Sequence, residues 1–143
     1  MANKKLIVNS SMTLEQKNLG LLVCTGQELK VRLERQVAPH TLSMLQLSIL
    51  HSLAFSPDGQ LTVNELKAMM VDESPNVSRT LNKMEEAGFI SKLRSLDDQR
   101  VVHVSITRAG RKAHDAADED LMGVTLGLSD KDQEQLYKIL LKI

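Results

Sequence analysis

Residues 61–110 read LTVNELKAMMVDESPNVSRTLNKMEEAGFISKLRSLDDQRVVHVSITRAG. Thr62 and Glu65 stand at capping-box spacing, so a helix is expected to begin at Val63 and to end within Met69–Glu73. Ser74 followed by Pro75 marks a second helix start. Serine accepts from the free N–H groups of a first turn, and proline at the first helical position lacks the N–H that would be orphaned there. Gly88 suits the C′ position that ends this second helix. Val77, Leu81 and Met84 recur at i, i+4 and i+7 and form one apolar stripe. The opposite face carries Asn76, Arg79, Thr80, Asn82 and Lys83.

That polar face has the chemistry of base and phosphate recognition. Arg and Lys pair with guanine edges or phosphates, Asn with adenine, and Thr offers a hydroxyl or a methyl group. A short helix, a tight turn and a second helix with such a face define a helix-turn-helix candidate. Taken alone, the second helix could equally be a solvated amphipathic helix. The residues after it tip the balance. Ile90–Ser95 and Val101–Thr107 are β-prone, and Val102, Val104 and Ile106 alternate with His103 and Ser105 as in a half-buried strand. Leu96-Asp97-Asp98-Gln99 lies between the strands, flanked by Arg94 and Arg100. A hairpin tip bracketed by guanidinium groups is what a winged helix would present to a minor groove.

The ordered set of motifs resembles the winged helix-turn-helix of the MarR family of bacterial transcriptional regulators. The residues carrying the resemblance are Leu61-Thr62 with Glu65-Leu66, Ser74 with Val77-Ser78-Arg79, Met84-Glu85, Gly88-Phe89-Ile90, Asp98-Gln99-Arg100 and Thr107-Arg108-Ala109-Gly110. One departure is Ser105-Ile106-Thr107, where the family more often has leucine. The resemblance implies a mainly α fold in which a winged helix region with a two-stranded wing, residues 41–107, is flanked by dimerisation helices over 12–38 and 108–143. It also implies a sequence-specific DNA-binding regulator: a ligand-responsive repressor binding a pseudo-palindromic operator on double-stranded DNA as a homodimer. The expected DNA contacts are Ser74, Asn76, Ser78, Arg79, Thr80, Asn82 and Lys83 on the helix, and Lys92, Arg94, Asp98 and Arg100 on the wing. Asp98 is expected to hold Arg100 in position. The alternative is a winged-helix protein-interaction module, antirepressor-like, that has lost DNA binding. Arg79, Asp98 and Arg100 favour the DNA reading.

Charge distribution agrees, although the chain of 143 residues is neutral overall. From Asn76 to Lys112 there are eight Lys/Arg (Arg79, Lys83, Lys92, Arg94, Arg100, Arg108, Arg111, Lys112) against four acids (Glu85, Glu86, Asp97, Asp98). From Ala113 to Ile143 there are seven acids against three lysines. Phosphates respond to local charge, so the basic excess belongs on the reading surface. Hydrophobic content is 42% and aromatic content 2%, which leaves Leu, Val, Met and Ala to fill the core and suits packed helices.

Outside the quoted stretch, Thr13 and Gln16 form another capping box, opening a helix at Leu14 that runs to about Gln36, since Pro39 blocks continuation. At 1.5 Å per residue it spans roughly 35 Å. Leu19-Gly20-Leu21-Leu22-Val23-Cys24 is apolar nearly all round and must be covered on more than one side. A second copy of the chain is the expected cover. Thr41 is expected to cap a helix over Leu42–Ala54. Ser56-Pro57-Asp58-Gly59 is a turn cluster leading to Leu61, where winged-helix proteins often place a short first strand. Thr107 opens a helix to about Met122. Ser129 with Asp130 opens a last one, striped by Leu136, Ile139, Leu140 and Ile143.

Other chemistries have less behind them. Met1 to Ser11 is too polar for a secretory signal, no apolar run is long enough to cross a bilayer, and a single cysteine fits a reducing cytoplasm. Cys24 lies in the first long helix, where a peroxide-sensing branch of the resembled family carries a reactive cysteine. The only tyrosine, Tyr137, is far away in sequence, and Cys24 sits in an apolar run, so a buried inert thiol is expected. His40, His51, His103 and His114 do not fall at paired metal spacing, so no metal and no cofactor is expected. An acidic helix face in solvent accounts for Asp115, Asp118, Glu119 and Asp120. No nucleophile–base pair or glycine-rich phosphate loop appears, and no catalytic residue is assigned. The resemblance further implies a small-molecule inducer in a crevice that Arg35, His40 and His51 could line, although no ligand motif matches residue by residue.

Overall fold

Several helix starts in this chain are set by side chains that satisfy otherwise orphaned N–H groups. The computed structural model describes residues 4–69 and 76–143. The elements are α1 (Lys4–Val8), α2 (Leu14–Val37), a 3-10 turn (Ala38–His40), α3 (Met44–Ala54), β1 (Gln60–Thr62), α4 (Val63–Met69), α5 (Val77–Glu86), β2 (Ile90–Arg94), β3 (Val102–Ile106), α6 (Arg108–Met122) and α7 (Asp130–Leu140). At the start of α2 the Thr13 hydroxyl accepts from the Gln16 N–H at 3.3 Å, and the Thr13 N–H donates to Gln16 Oε1 at 3.0 Å. At α4 the Thr62 hydroxyl accepts from the Glu65 N–H at 3.2 Å, and Glu65 Oε2 accepts from the Thr62 N–H at 2.7 Å. Those bonds hold the Glu65 carboxyl below the usual carboxylate range, the Thr62 N–H contributing most. Thr107 and Ser129 cap α6 and α7 as their positions in the sequence indicate.

The expected start at Ser74-Pro75 and the end of α4 beyond Met69 lie outside the described residues. Within them, the Asn76 carbonyl accepts from the Thr80 N–H at 2.8 Å, closing the first turn of α5. Its C-terminus is a Schellman turn. The Gly88 N–H donates to the Glu85 carbonyl and the Phe89 N–H to the Met84 carbonyl, both at 2.9 Å. Gly88 has φ +76°, a conformation that costs a side-chain-bearing residue dearly.

Two details differ from the reading of the sequence. α1 was not anticipated; its Ile7 packs on Gly20 of α2, where an added Cβ would meet Ile7 Cδ1 at 3.2 Å. Thr41 does not cap α3. It sits in the left-handed region at φ 57°, turning the chain after the 3-10 segment, and the cap passes to Ser43. Ser43 and Gln46 make the capping box, with 3.2 Å and 2.7 Å bonds, which moves the helix start to Met44. The wing is two strands, as expected, and the short first strand expected at Leu61 is β1, which extends the sheet to three in the order β1-β3-β2, all antiparallel. Leu61 and Lys92 flank Val104 from either side.

Between the sheet and the helices lies one core. Leu47, Leu50 and Leu53 of α3, Leu66 of α4, Val77, Leu81 and Met84 of α5, Ile90, Val104 and Ala117 are all buried in it. The stripe read from α5 is therefore its buried face. Around the flanks the picture reverses. Leu19, Leu22 and Val23 of α2 are exposed, Leu19 by 65%, and α7 has no buried residue although Ile139 and Leu140 lie along it.

One junction ties the core to α6. The Thr107 hydroxyl donates to the Gly88 carbonyl at 2.7 Å and accepts from the Gly110 N–H at 3.0 Å, while the Thr107 N–H donates to the Phe89 carbonyl at 3.1 Å. α6 approaches so closely that a Cβ on Gly110 would lie 2.0 Å from the Phe89 carbonyl oxygen.

Candidate DNA-binding surface

With Val77, Leu81 and Met84 turned into the core, α5 presents Ser78, Arg79, Asn82 and Lys83 outward, with Thr80 half-buried and Asn76 exposed at the entrance. Ser74 lies outside the described residues. On the wing, Arg94 and Arg100 are exposed and Lys92 is half-buried. A cleft of about 420 Å³ opens between α4, α5 and the wing, and among its walls are Asn64, Lys67, Ser78, Asn82, Lys92 and Arg100. The structure thus gathers Ser78, Asn82, Lys92 and Arg100 around one cleft, with Arg79 and Lys83 on the same outward face of α5. Asn64 and Lys67 were missed in the sequence, where α4 offers only a polar face without the guanidinium pattern that drew attention to α5.

At the base of the wing, Lys92 bridges the helix and the sheet. Its ammonium donates to Asn82 Oδ1 at 2.6 Å and pairs with Glu85 Oε2 at 2.8 Å, and its backbone N–H donates to Glu85 Oε1 at 3.1 Å. The Lys92 ammonium keeps the Glu85 carboxyl below the usual carboxylate range. Lys92 therefore locks β2 onto α5 in the free chain. Its bond to the Asn82 carbonyl oxygen leaves the amide's two N–H donors for other partners.

At the tip, Arg94 Nη1 donates to the Gln99 carbonyl at 3.3 Å. Arg100 is held by Asp98 in a fork: Nε to Oδ1 and Nη2 to Oδ2, each at 3.0 Å. The Arg100 backbone N–H also donates to Oδ1 at 3.0 Å. Arg100 remains 91% exposed, so the fork orients the guanidinium without hiding it. The Arg100 side chain holds the Asp98 carboxyl below the usual range, and Asp98 in turn raises the guanidinium further.

A sheet ending in a two-stranded wing, set behind two short helices of which the second turns a polar cationic face outward, defines a winged helix-turn-helix fold. Solved structures share the fold. AbsC, a MarR family transcriptional regulator from Streptomyces coelicolor, superposes with a TM-score of 0.78 at 20% identity, covering 92% of this chain and 93% of that one. A mutant MarR from E. coli complexed with operator DNA superposes at 0.75 with 22% identity, covering 93% and 98%. Residues 33–117 match the model of the SarA/Rot transcriptional regulators, and the chain belongs to that family. The organic hydroperoxide resistance transcriptional regulator of Bacillus subtilis is 33% identical over 79 residues. That match spans 55% of this chain and 53% of the relative, so the chain is matched over about half of that protein's length.

Proposed function

We propose that the chain is a sequence-specific repressor that binds double-stranded DNA as a homodimer, with residues 41–107 as the reading region and residues 12–38 and 108–143 as the dimerisation helices. The observation that carries this reading is the outward face of α5, with Arg79 and Lys83, standing beside a wing whose Arg100 is pre-oriented by Asp98. Ser74, Asn76, Ser78, Arg79, Thr80, Asn82 and Lys83 would meet the major groove and its phosphates. Lys92, Arg94 and Arg100 would follow the backbone and minor groove, with Asp98 as the positioning residue. The structural neighbour bound to operator DNA gives the fold a precedent for this use. Exposed apolar side chains along α2 and α7 support a second copy as their cover. No helix among the described residues is long and apolar enough to cross a membrane, which is consistent with a cytoplasmic protein. Release by a small-molecule inducer belongs to the same proposal, by resemblance to the MarR pattern, as does the absence of a catalytic role.

Selection of bound duplexes from a random pool tests the reading. Recovery of a near-palindrome supports it. Recovery of no duplex, together with weak retention on heparin at low salt, would favour a protein-interaction module of the same fold.

A further inference from the structure

Two histidines separated by 63 residues meet where α3 crosses α6. His51 Nδ1 lies 3.2 Å from His114 Nε2 and 3.9 Å from Asp118 Oδ1, and the three donor atoms all fall within 4.8 Å of one another. We propose that His51, His114 and Asp118 form a site for a divalent transition-metal ion of zinc-like softness, with one coordination position left open.

Zinc bonds to nitrogen and oxygen of about 2.0–2.1 Å place tetrahedral donors about 3.4 Å apart, and the two short separations here bracket that value. His114 and Asp118 stand at i and i+4 on α6, which puts both on one helical face. His51 comes from the last turn of α3, so the ion would join two helices that are distant in sequence.

His114 is buried, only 3% exposed, and its Nδ1 lies 2.8 Å from Asp115 Oδ1. A carboxylate at Nδ1 holds the proton there and leaves the lone pair on Nε2, facing the site, which is the outer arrangement common to metal-binding histidines. In that tautomer of His114, the 3.2 Å contact is a hydrogen bond donated by His51 Nδ1. Moving its proton to its own Nε2 turns the Nδ1 lone pair inward, a tautomer change that leaves the ring neutral. Imidazole pairs with a single carboxylate suit zinc, copper or nickel better than magnesium or calcium, which prefer all-oxygen shells.

The Phe55 ring packs on His51 at a centroid separation of 4.6 Å and on His114 at 6.1 Å, restraining both imidazoles from one side. His51 is about half exposed and Asp118 about a quarter, so an ion can enter from solvent. Among the described residues no Lys or Arg forms an ion pair with Asp118 or Asp115, and the carboxylates are not committed to a protein cation.

Zinc titration of the tag-free full chain, read by competition with a chromophoric chelator, tests the site. One equivalent per chain is expected. His51→Gln and Asp118→Asn, both at partly exposed positions, should each weaken zinc by at least tenfold. Asp115→Asn, which removes only the outer partner, should cost about 10–100-fold. Cobalt(II) should give the visible absorption of a four-coordinate ion in the wild type and lose it in His51→Gln. His103→Gln, on β3, should change nothing. Failure of the wild type to bind zinc at micromolar concentration would overturn the proposal, as would equal affinity in the wild type, His51→Gln and Asp118→Asn.

Discussion

Asp98 grips Arg100 with both carboxylate oxygens, at 3.0 Å from Nε and 3.0 Å from Nη2, while the guanidinium stays 91% exposed. A long flexible side chain at a hairpin tip would otherwise lose rotamer freedom on meeting DNA; here much of that ordering is already done. Asp98→Ala is therefore expected to weaken DNA binding even though it removes a negative charge from the surface proposed to face phosphates. Tighter binding by the variant would mean that Asp98 is only a counter-charge. The pH dependence follows from the lowered carboxyl. Because the folded pKa lies below the unfolded one, the contact is fully present above the ordinary carboxylate range near 3.9 and is lost as pH falls through the lowered folded value. The Arg100 Nε–H resonance, followed by NMR, should keep its hydrogen-bonded shift below that ordinary range.

Gly110 is required by proximity, with no demand from backbone angle. Its Cβ would lie 2.0 Å from the Phe89 carbonyl oxygen, and that oxygen is already held by the Thr107 N–H. Backbone cannot step aside as a flexible side chain can. Gly110→Ala should lower stability by about 1–3 kcal/mol or more, measured as a drop in the denaturant midpoint. An unchanged midpoint would show that α6 can withdraw from the Phe89 turn at no cost.

The helical flanks carry exposed Leu19, Leu22 and Val23 on α2 and Ile139 and Leu140 on α7. Covering each such side chain contributes about 1.5–3 kcal/mol. Sedimentation at micromolar concentration should give twice the chain mass of 15.9 kDa. A monomer at that concentration would leave these faces unexplained.

Cys24 is 8% exposed, in keeping with the apolar run around it. A hydroperoxide must reach the sulfur to oxidise it, so moderate peroxide should leave DNA affinity unchanged. If peroxide releases DNA from the wild type and Cys24→Ser abolishes that release, the thiol is a sensor and its burial in the single chain is misleading.

What the sequence made legible is what is local. The capping boxes at Thr13 and Thr62, the caps at Thr107 and Ser129 and the glycine at Gly88 each act within a few residues, and each was found where it was read. Thr41 was misassigned because two hydroxyl residues compete two positions apart, and only the left-handed turn after Pro39 decides for Ser43. The Lys92–Glu85–Asn82 lock, the reason for Gly110, the place of Asn64 and Lys67 beside the wing and the meeting of His51 with His114 all depend on contacts between elements. Spacing along the chain carries no signal for them.

Whether α5 reads base sequence while the wing supplies mainly electrostatic grip is tested most directly by salt-titrated binding of Arg79→Ala and Arg100→Ala to the selected operator and to scrambled DNA. Arg79 lies on the exposed face of α5. Its loss should cost about 1–3 kcal/mol per half-site on the operator and relax the preference at one base position. Arg100→Ala should weaken both DNAs evenly and lower the salt slope by about one unit per subunit. The operator itself should be a near-palindrome with half-sites about 10 bp apart. Equal loss on both DNAs for Arg79→Ala would reduce that residue to a phosphate contact, and no loss for either variant would contradict DNA binding through this surface.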